Sequence, residues 1–149
     1  MNNWAIFWIC FLAATVLPIG SEPAVGAVAA LEEHVWELLV VASMGNYMGA
    51  LANYAAGRWG RAFYIRHFFG VESEKLEKAE KYFHRWGTPV LFFAWLPIIG
   101  DPLTILAGVL KIHPLIFTLW VLPGKMFRYY IIIKGVEQWR AINPSSFII

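Results

Sequence analysis

Two carboxylates lie in apolar surroundings, each directly before a proline. Glu22 ends the run Pro-Ile-Gly-Ser-Glu and Asp101 ends the run Pro-Ile-Ile-Gly-Asp. Because proline interrupts a helix and a charge in hydrocarbon is costly, acids at such breaks are candidate functional groups. Close, buried carboxylates favour protonation, so we predict that Glu22 and Asp101 bind a proton or another cation. The alternative is that each acid only caps the half-helix that follows it.

Two bases occupy the last apolar segment of the chain. Lys125 and Arg128 are one helical turn apart on one face. Intramembrane bases usually pair with acids or line a wet cavity, so we predict that these two pair with Glu22 and Asp101 and hold an anionic head group, with Arg128 and Asp101 sharing a site. The alternative is that both bases extend to the membrane interface.

The chain repeats itself weakly. The 79-residue offset between Glu22 and Asp101 also relates Leu17 to Leu96, and it relates Gly45 to Gly124. Paired, broken hydrophobic segments in two halves of a membrane protein indicate a transport site near the bilayer midplane.

Composition predicts an integral membrane protein without enzymatic chemistry. The chain has 149 residues, of which 59% are hydrophobic and 15% are charged. The single cysteine, Cys10, excludes an internal disulfide, and the four histidines have no metal-ligand spacing. No catalytic triad, nucleotide-binding loop or basic-aromatic cluster is present, so we predict no enzyme activity, cofactor, metal or nucleic-acid partner.

Segment lengths predict two hairpins and two membrane-spanning helices. As one helix, Trp4–Leu31 would extend about 42 Å, beyond a hydrocarbon core of about 30 Å. Broken at Pro18, it becomes a re-entrant hairpin, and the repeat extends this prediction to Trp86–Leu110. The predicted membrane-spanning helices are Leu38–Gly57 and Leu115–Gln138.

The polar connector sets the predicted orientation. Residues 58–85 hold seven basic and four acidic residues, whereas the turn Glu32–Glu37 holds three acids. The positive-inside rule therefore predicts a cytoplasmic connector. Within it, Glu72–Trp86 is predicted to form an amphipathic helix on the inner membrane surface, which Gly87 and Pro89 end.

The predicted fold is therefore an all-α integral membrane protein with two facing re-entrant helical hairpins and two membrane-spanning helices in an inverted repeat. The chain forms one membrane domain, residues 1–149, with half-repeats at residues 4–57 and 86–138 around the connector at residues 58–85.

Small and polar residues share the first predicted membrane-spanning helix. Gly45, Gly49 and Gly57 form a stripe that is typical of close helix packing. Asn46 and Asn53 would lie at membrane depth, where they either bond across helices or line a cavity and bind substrate.

These motifs resemble a known family. The run Gly45-x3-Gly49-x4-Tyr54-x2-Gly57-x2-Gly60, together with the segment from Phe92 to Gly108, is similar to the DedA, or VTT (SNARE-associated), membrane proteins and to their short YqaA-like branch. The resemblance covers about Phe11 to Tyr130. It implies facing re-entrant loops and movement of undecaprenyl phosphate or phospholipids between leaflets of the cytoplasmic membrane, with proton or sodium coupling.

The resemblance is incomplete in the second loop. Two arginines usually flank the proline of this loop, and Ala94 and Gly100 stand in their places. Lys125 and Arg128 are the predicted substitutes.

We therefore predict a multi-pass protein of the inner membrane that moves a lipid or lipid-linked phosphate head group, with membrane lipids as partners. One alternative is an ion or small-solute transporter. Another is a membrane interaction protein that forms a homo-oligomer through its glycine stripe.

Overall fold

A computed structural model describes residues 3–15, 21–31, 35–64, 66–67, 81, 83–96 and 99–143. The described elements are all helical. Their bounds are α1 (Asn3–Thr15), α2 (Glu22–Leu31), α3 (Val35–Trp59), α4 (Arg61–Tyr64), a π-helical turn (Phe83–Gly87), a 3-10 helix (Thr88–Trp95), α5 (Gly100–Val109) and α6 (Pro114–Ile142).

Two helices, α3 and α6, are long and apolar enough to cross a membrane. Both exceed their predicted bounds: α3 begins at Val35, so Glu37 belongs to its first turn and not to a preceding turn. α6 begins at Pro114, where proline suits a first helical position, and the ring of His113 accepts a hydrogen bond from the Leu115 amide at 3.3 Å. It continues to Ile142.

Both hydrophobic segments contain a described non-helical residue, Ser21 in the first and Leu96 in the second, while the prolines predicted to break them, Pro18 and Pro97, lie outside the described residues. α1 ends at Thr15 and α2 begins at Glu22, while the 3-10 helix ends at Trp95 and α5 begins at Gly100. At about 1.5 Å per residue, α1 and α2 extend only about 20 Å and 15 Å. The second hydrophobic segment begins with the 3-10 helix, which is wound more tightly than α1, the α-helix at the start of the first segment.

The predicted amphipathic helix falls mostly outside the described residues. Its end is described: the π-helical turn stops at Gly87, and the 3-10 helix starts at the next residue with Pro89 in its first turn. The chain thus stays helical across Gly87 and Pro89 and only changes its helix type, so the stop predicted there is not seen in the described residues.

The short helices of the two hydrophobic segments pack on the long helices α3 and α6. The first short helix of each segment contacts the long helix of its own half: α1 packs on α3, and the 3-10 helix packs on α6. The second short helix of each segment contacts the long helix of the other half: α2 packs on α6, and α5 packs on α3. This exchange joins the two halves.

The glycine stripe packs within the chain, which confirms its predicted structural role. A Cβ on Gly45 would collide with the carbonyl oxygen of Phe7, and one on Gly49 would lie 2.6 Å from Ala14 Cβ. A Cβ on Gly57 would collide with the Ile105 carbonyl of α5. Because α1 and α5 occupy this stripe, it is not available for contact between copies of the chain.

α5 ends in a Schellman motif with an unusual residue. The Ile112 amide donates to the Ala107 carbonyl at 3.1 Å, and the Lys111 amide donates to the Gly108 carbonyl at 3.0 Å. Lys111 occupies the left-handed position, with φ of 53°, where glycine is preferred.

Lys111→Gly is therefore expected to raise the free energy of unfolding by about 1 kcal/mol, because glycine adopts this conformation without a clash. The measurement is thermal unfolding in detergent. Lys111→Ala is the matched control, since it removes the charge and keeps the Cβ. A decrease in stability for the glycine variant would contradict the expectation.

Candidate functional site: a charged centre between two apolar cores

The charged residues lie between two hydrophobic cores. One core joins α3, α5 and the first half of α6, where it reaches Val121. The other joins α1, α2, the start of α3 and the second half of α6, where it includes Tyr129. Lys125 and Arg128 fall between these positions on α6, and both are buried. Their charges are therefore enclosed by apolar protein on both sides.

Arg128 pairs with Glu22. A guanidinium nitrogen of Arg128 contacts Oε1 of Glu22, and the side chains are 10% and 31% exposed. Glu22 is the first residue of α2, where a carboxylate is favoured by the helix dipole. The packing of α2 on α6 brings the two groups together.

A second bond fastens the same pair of helices. Ser21 precedes Glu22, Tyr129 follows Arg128, and the hydroxyl oxygens of Ser21 and Tyr129 are 2.5 Å apart. Both residues are buried. Two consecutive residues of each segment therefore make two contacts between α2 and α6. The hydroxyl contact was not predicted, although the sequence places a hydroxyl residue next to each charged one.

Lys125 pairs with Asp101 more loosely. Lys125 Nζ lies 3.8 Å from Asp101 Oδ1, and the side chains are 1% and 44% exposed. Asp101 belongs to the first turn of α5, whose N-cap residue is Ile99, and Ile99 makes no side-chain capping bond. Gly100 precedes Asp101 and Met126 follows Lys125, and neither carries a hydroxyl, so this pair lacks the neighbouring hydroxyl contact of the Arg128–Glu22 pair.

The predicted pairing of Arg128 with Asp101 is wrong. Arg128 contacts Glu22, and Lys125 contacts Asp101. Both bases are on α6, one turn apart, and each meets the acid of a different broken segment. The prediction that two acids and two bases meet is confirmed, and simple extension of the bases to the interface is excluded by their burial.

The two asparagines bond across helices. Asn53 Nδ2 donates to the Ala14 carbonyl at 2.7 Å, and Asn46 Nδ2 donates to the Cys10 carbonyl at 3.4 Å. These bonds join α3 to α1, which is the structural alternative raised by the sequence. Their role in substrate binding stays a prediction.

Tyr54, the tyrosine of the glycine–tyrosine run, joins α3 to the turn that ends α5. The Tyr54 hydroxyl donates to the Ile112 carbonyl at 2.5 Å and accepts from Arg58 at 3.1 Å. A Cβ on Gly108 of α5 would collide with the Tyr54 carbonyl. The glycine–tyrosine run therefore sets the distance between α3 and the second broken segment.

Comparison with known proteins decides the family. The VTT domain matches residues 17–137, which is most of the chain. The chain belongs to the VTT-domain, or DedA, family. No solved structure matches it.

Three relatives match most of the chain. Inner membrane protein YqaA of Escherichia coli (strain K12) is 35% identical over 146 residues, which is 93% of this chain and 96% of that protein. An uncharacterized protein of Haemophilus influenzae is 31% identical over 132 residues, or 83% of this chain and 80% of that protein. Uncharacterized membrane protein YkoX of Bacillus subtilis is 27% identical over 114 residues, or 71% of this chain and 52% of that protein. The chain is an inner-membrane protein.

Proposed function

We propose that this protein translocates a lipid or lipid-linked phosphate head group between the leaflets of the inner membrane, with proton exchange at the charged centre. Membership of the VTT-domain family is consistent with a transport role. The observation that carries the proposal is the arrangement of the two ion pairs, in which each base is buried and each acid is partly exposed.

This arrangement suits exchange of one anion for another. An exposed carboxylate can take up a proton from water, and protonation removes its attraction for the base. The buried base then has no counter-charge in its apolar environment, and a phosphate group would supply one. When the head group leaves, the acid releases its proton and pairs with the base again.

Asp101 and Lys125 are the proposed exchange pair. Their 3.8 Å separation and the 44% exposure of Asp101 make this pair easier to separate than Arg128 and Glu22. The Arg128–Glu22 pair is reinforced by the Ser21–Tyr129 contact, so we assign this pair to holding α2 on α6. Arg128 would then add positive charge one turn from Lys125.

The proposal includes two re-entrant hairpins. α1 and α2, at about 20 Å and 15 Å, are too short to cross a hydrocarbon core of about 30 Å, whereas α3 and α6 are long enough. Facing hairpins would bring both acids to the depth of Lys125 and Arg128, and the helical packing supports this. Both ends of the chain would then lie outside, opposite the connector.

Single-cysteine labelling tests this topology in a Cys10→Ala background. Ile142→Cys, at the exposed end of α6, is expected to react with an impermeant thiol reagent in intact cells. Trp59→Cys, at the exposed end of α3, is the matched control and is expected to react only after lysis. Protection of the Ile142 site in intact cells would contradict the hairpin topology.

The activity is tested in vesicles that contain purified protein and a fluorescent phospholipid. Wild type is expected to move the lipid between leaflets, and Lys125→Gln is expected to lose this activity. Lys134→Gln, which removes an exposed base of the same helix, is the control and should keep it. Small-solute uptake without lipid movement would reject lipid translocation in favour of solute transport.

A further inference from the structure

A cluster of bases surrounds the turn that ends α5. Arg61 donates from its guanidinium to the Val109 carbonyl at 2.7 Å. Arg58 donates to the Tyr54 hydroxyl, which in turn donates to the Ile112 carbonyl. Two guanidinium groups are thus bonded, one directly and one through Tyr54, to the turn that contains Lys111, whose side chain is exposed.

The acids of the same two helices lie at their other ends. Glu37 belongs to the first turn of α3 and Asp101 to the first turn of α5, whereas Arg58 lies in the last turn of α3 and Lys111 lies just beyond the end of α5. Some of this positive charge stabilises α5, because cations are favourable at a helix C-terminus and Arg61 bonds to the Val109 carbonyl there. The backbone gives no such reason for a lysine at position 111, because glycine would fit its left-handed conformation better.

Exposed aromatic residues flank the cluster. Trp59, the last residue of α3, is 86% exposed, and Phe63 in the short helix α4 is 63% exposed. Aromatic side chains next to bases at the end of a membrane-spanning helix are typical of the head-group region. Bases at this depth attract anionic lipids by roughly 1 kcal/mol each.

We propose that Arg58 and Lys111 form a binding surface for the head group of an anionic phospholipid in the leaflet on this side, with Trp59 beside its acyl chains. The guanidinium can make paired hydrogen bonds to phosphate, and the ammonium adds a point charge. The surface lies apart from the charged centre and does not depend on translocation. A membrane lipid is the occupant because the bases lie at the end of a membrane-spanning helix among exposed aromatic residues.

The test is a competition between lipids in nanodiscs. Purified protein is placed in phosphatidylcholine nanodiscs with a small fraction of spin-labelled phosphatidylglycerol, and the bound fraction is measured. Lys111→Gly is expected to reduce relative affinity for phosphatidylglycerol about fivefold, the factor that corresponds to roughly 1 kcal/mol. The same variant is expected to be more thermostable, which separates lost binding from lost folding.

Four further measurements complete the test. Lys111→Arg should keep the preference, and Lys134→Gln, which removes an exposed base near the other end of α6, should keep it too. Free inorganic phosphate should not displace the lipid at a concentration equal to that of the labelled lipid. An unchanged preference in Lys111→Gly, or equal loss in Lys134→Gln, would overturn the proposal. The experiment repeated in Asp101→Asn should give the same preference, even if translocation fails.

Discussion

Glu22→Gln is expected to lower the free energy of unfolding by about 3–5 kcal/mol, because it leaves the buried Arg128 guanidinium without its partner. Arg128→Gln is expected to cost less, since Glu22 is 31% exposed and water can solvate its carboxylate. The more damaging change is thus removal of the acid. Chemical denaturation in detergent gives both values.

The double variant tests the pairing itself. Glu22→Gln combined with Arg128→Gln should be more stable than the sum of the single effects predicts, because no unpaired buried charge remains. Asp101→Asn with Lys125→Gln should behave likewise. The matched control is the crossed combination of Arg128→Gln with Asp101→Asn, for which we expect a smaller coupling. Strict additivity within a contacting pair, to about 0.5 kcal/mol, would contradict the assigned pairing.

Gly108→Val is expected to prevent correct packing of α5 on α3, with a loss of several kcal/mol or no folded protein. Any Cβ at this position collides with the Tyr54 carbonyl, which is backbone and cannot rotate away. Overpacking of this kind typically costs about 1–3 kcal/mol, and two branched methyl groups add to the collision. The measurement is the yield of monodisperse protein and its Tm in detergent.

Gly135 supplies the control for this variant. It also lies inside a helix, but a Cβ built on it meets nothing within 4 Å. Gly135→Ala is expected to stabilise α6 by up to about 1 kcal/mol through helix propensity. Normal folding of Gly108→Val would show that the close approach of the two helices is not required.

Several features were predictable because they depend on local chemistry. Proline next to an acid marked both breaks, and the spacing of Gly45, Gly49 and Gly57 predicted a packed face. The isolation of Lys125 and Arg128 in an apolar segment predicted that they meet acids. In each case the residue type can adopt only a few low-energy environments inside a membrane, so its sequence position alone limits its structural role.

The details that failed depend on packing between distant elements. Which base meets which acid is decided by the exchange of α2 and α5 between the long helices, and no local pattern encodes that exchange. The left-handed Lys111 was equally hidden, because glycine usually occupies this position of a Schellman motif. The bonds of Asn46 and Asn53 to α1 were equally hard to predict, because they depend on where that helix packs on α3.

The pH dependence of lipid translocation by Asp101→Asn shows whether Asp101 exchanges a proton during transport. Vesicles containing wild type or variant are given a transmembrane pH gradient, and movement of the fluorescent phospholipid is followed after folding has been verified by size exclusion. Wild type should respond to the gradient, and Asp101→Asn, which has a similar shape but cannot exchange a proton, should not. Translocation by Asp101→Asn with the wild-type rate and pH response would contradict the account.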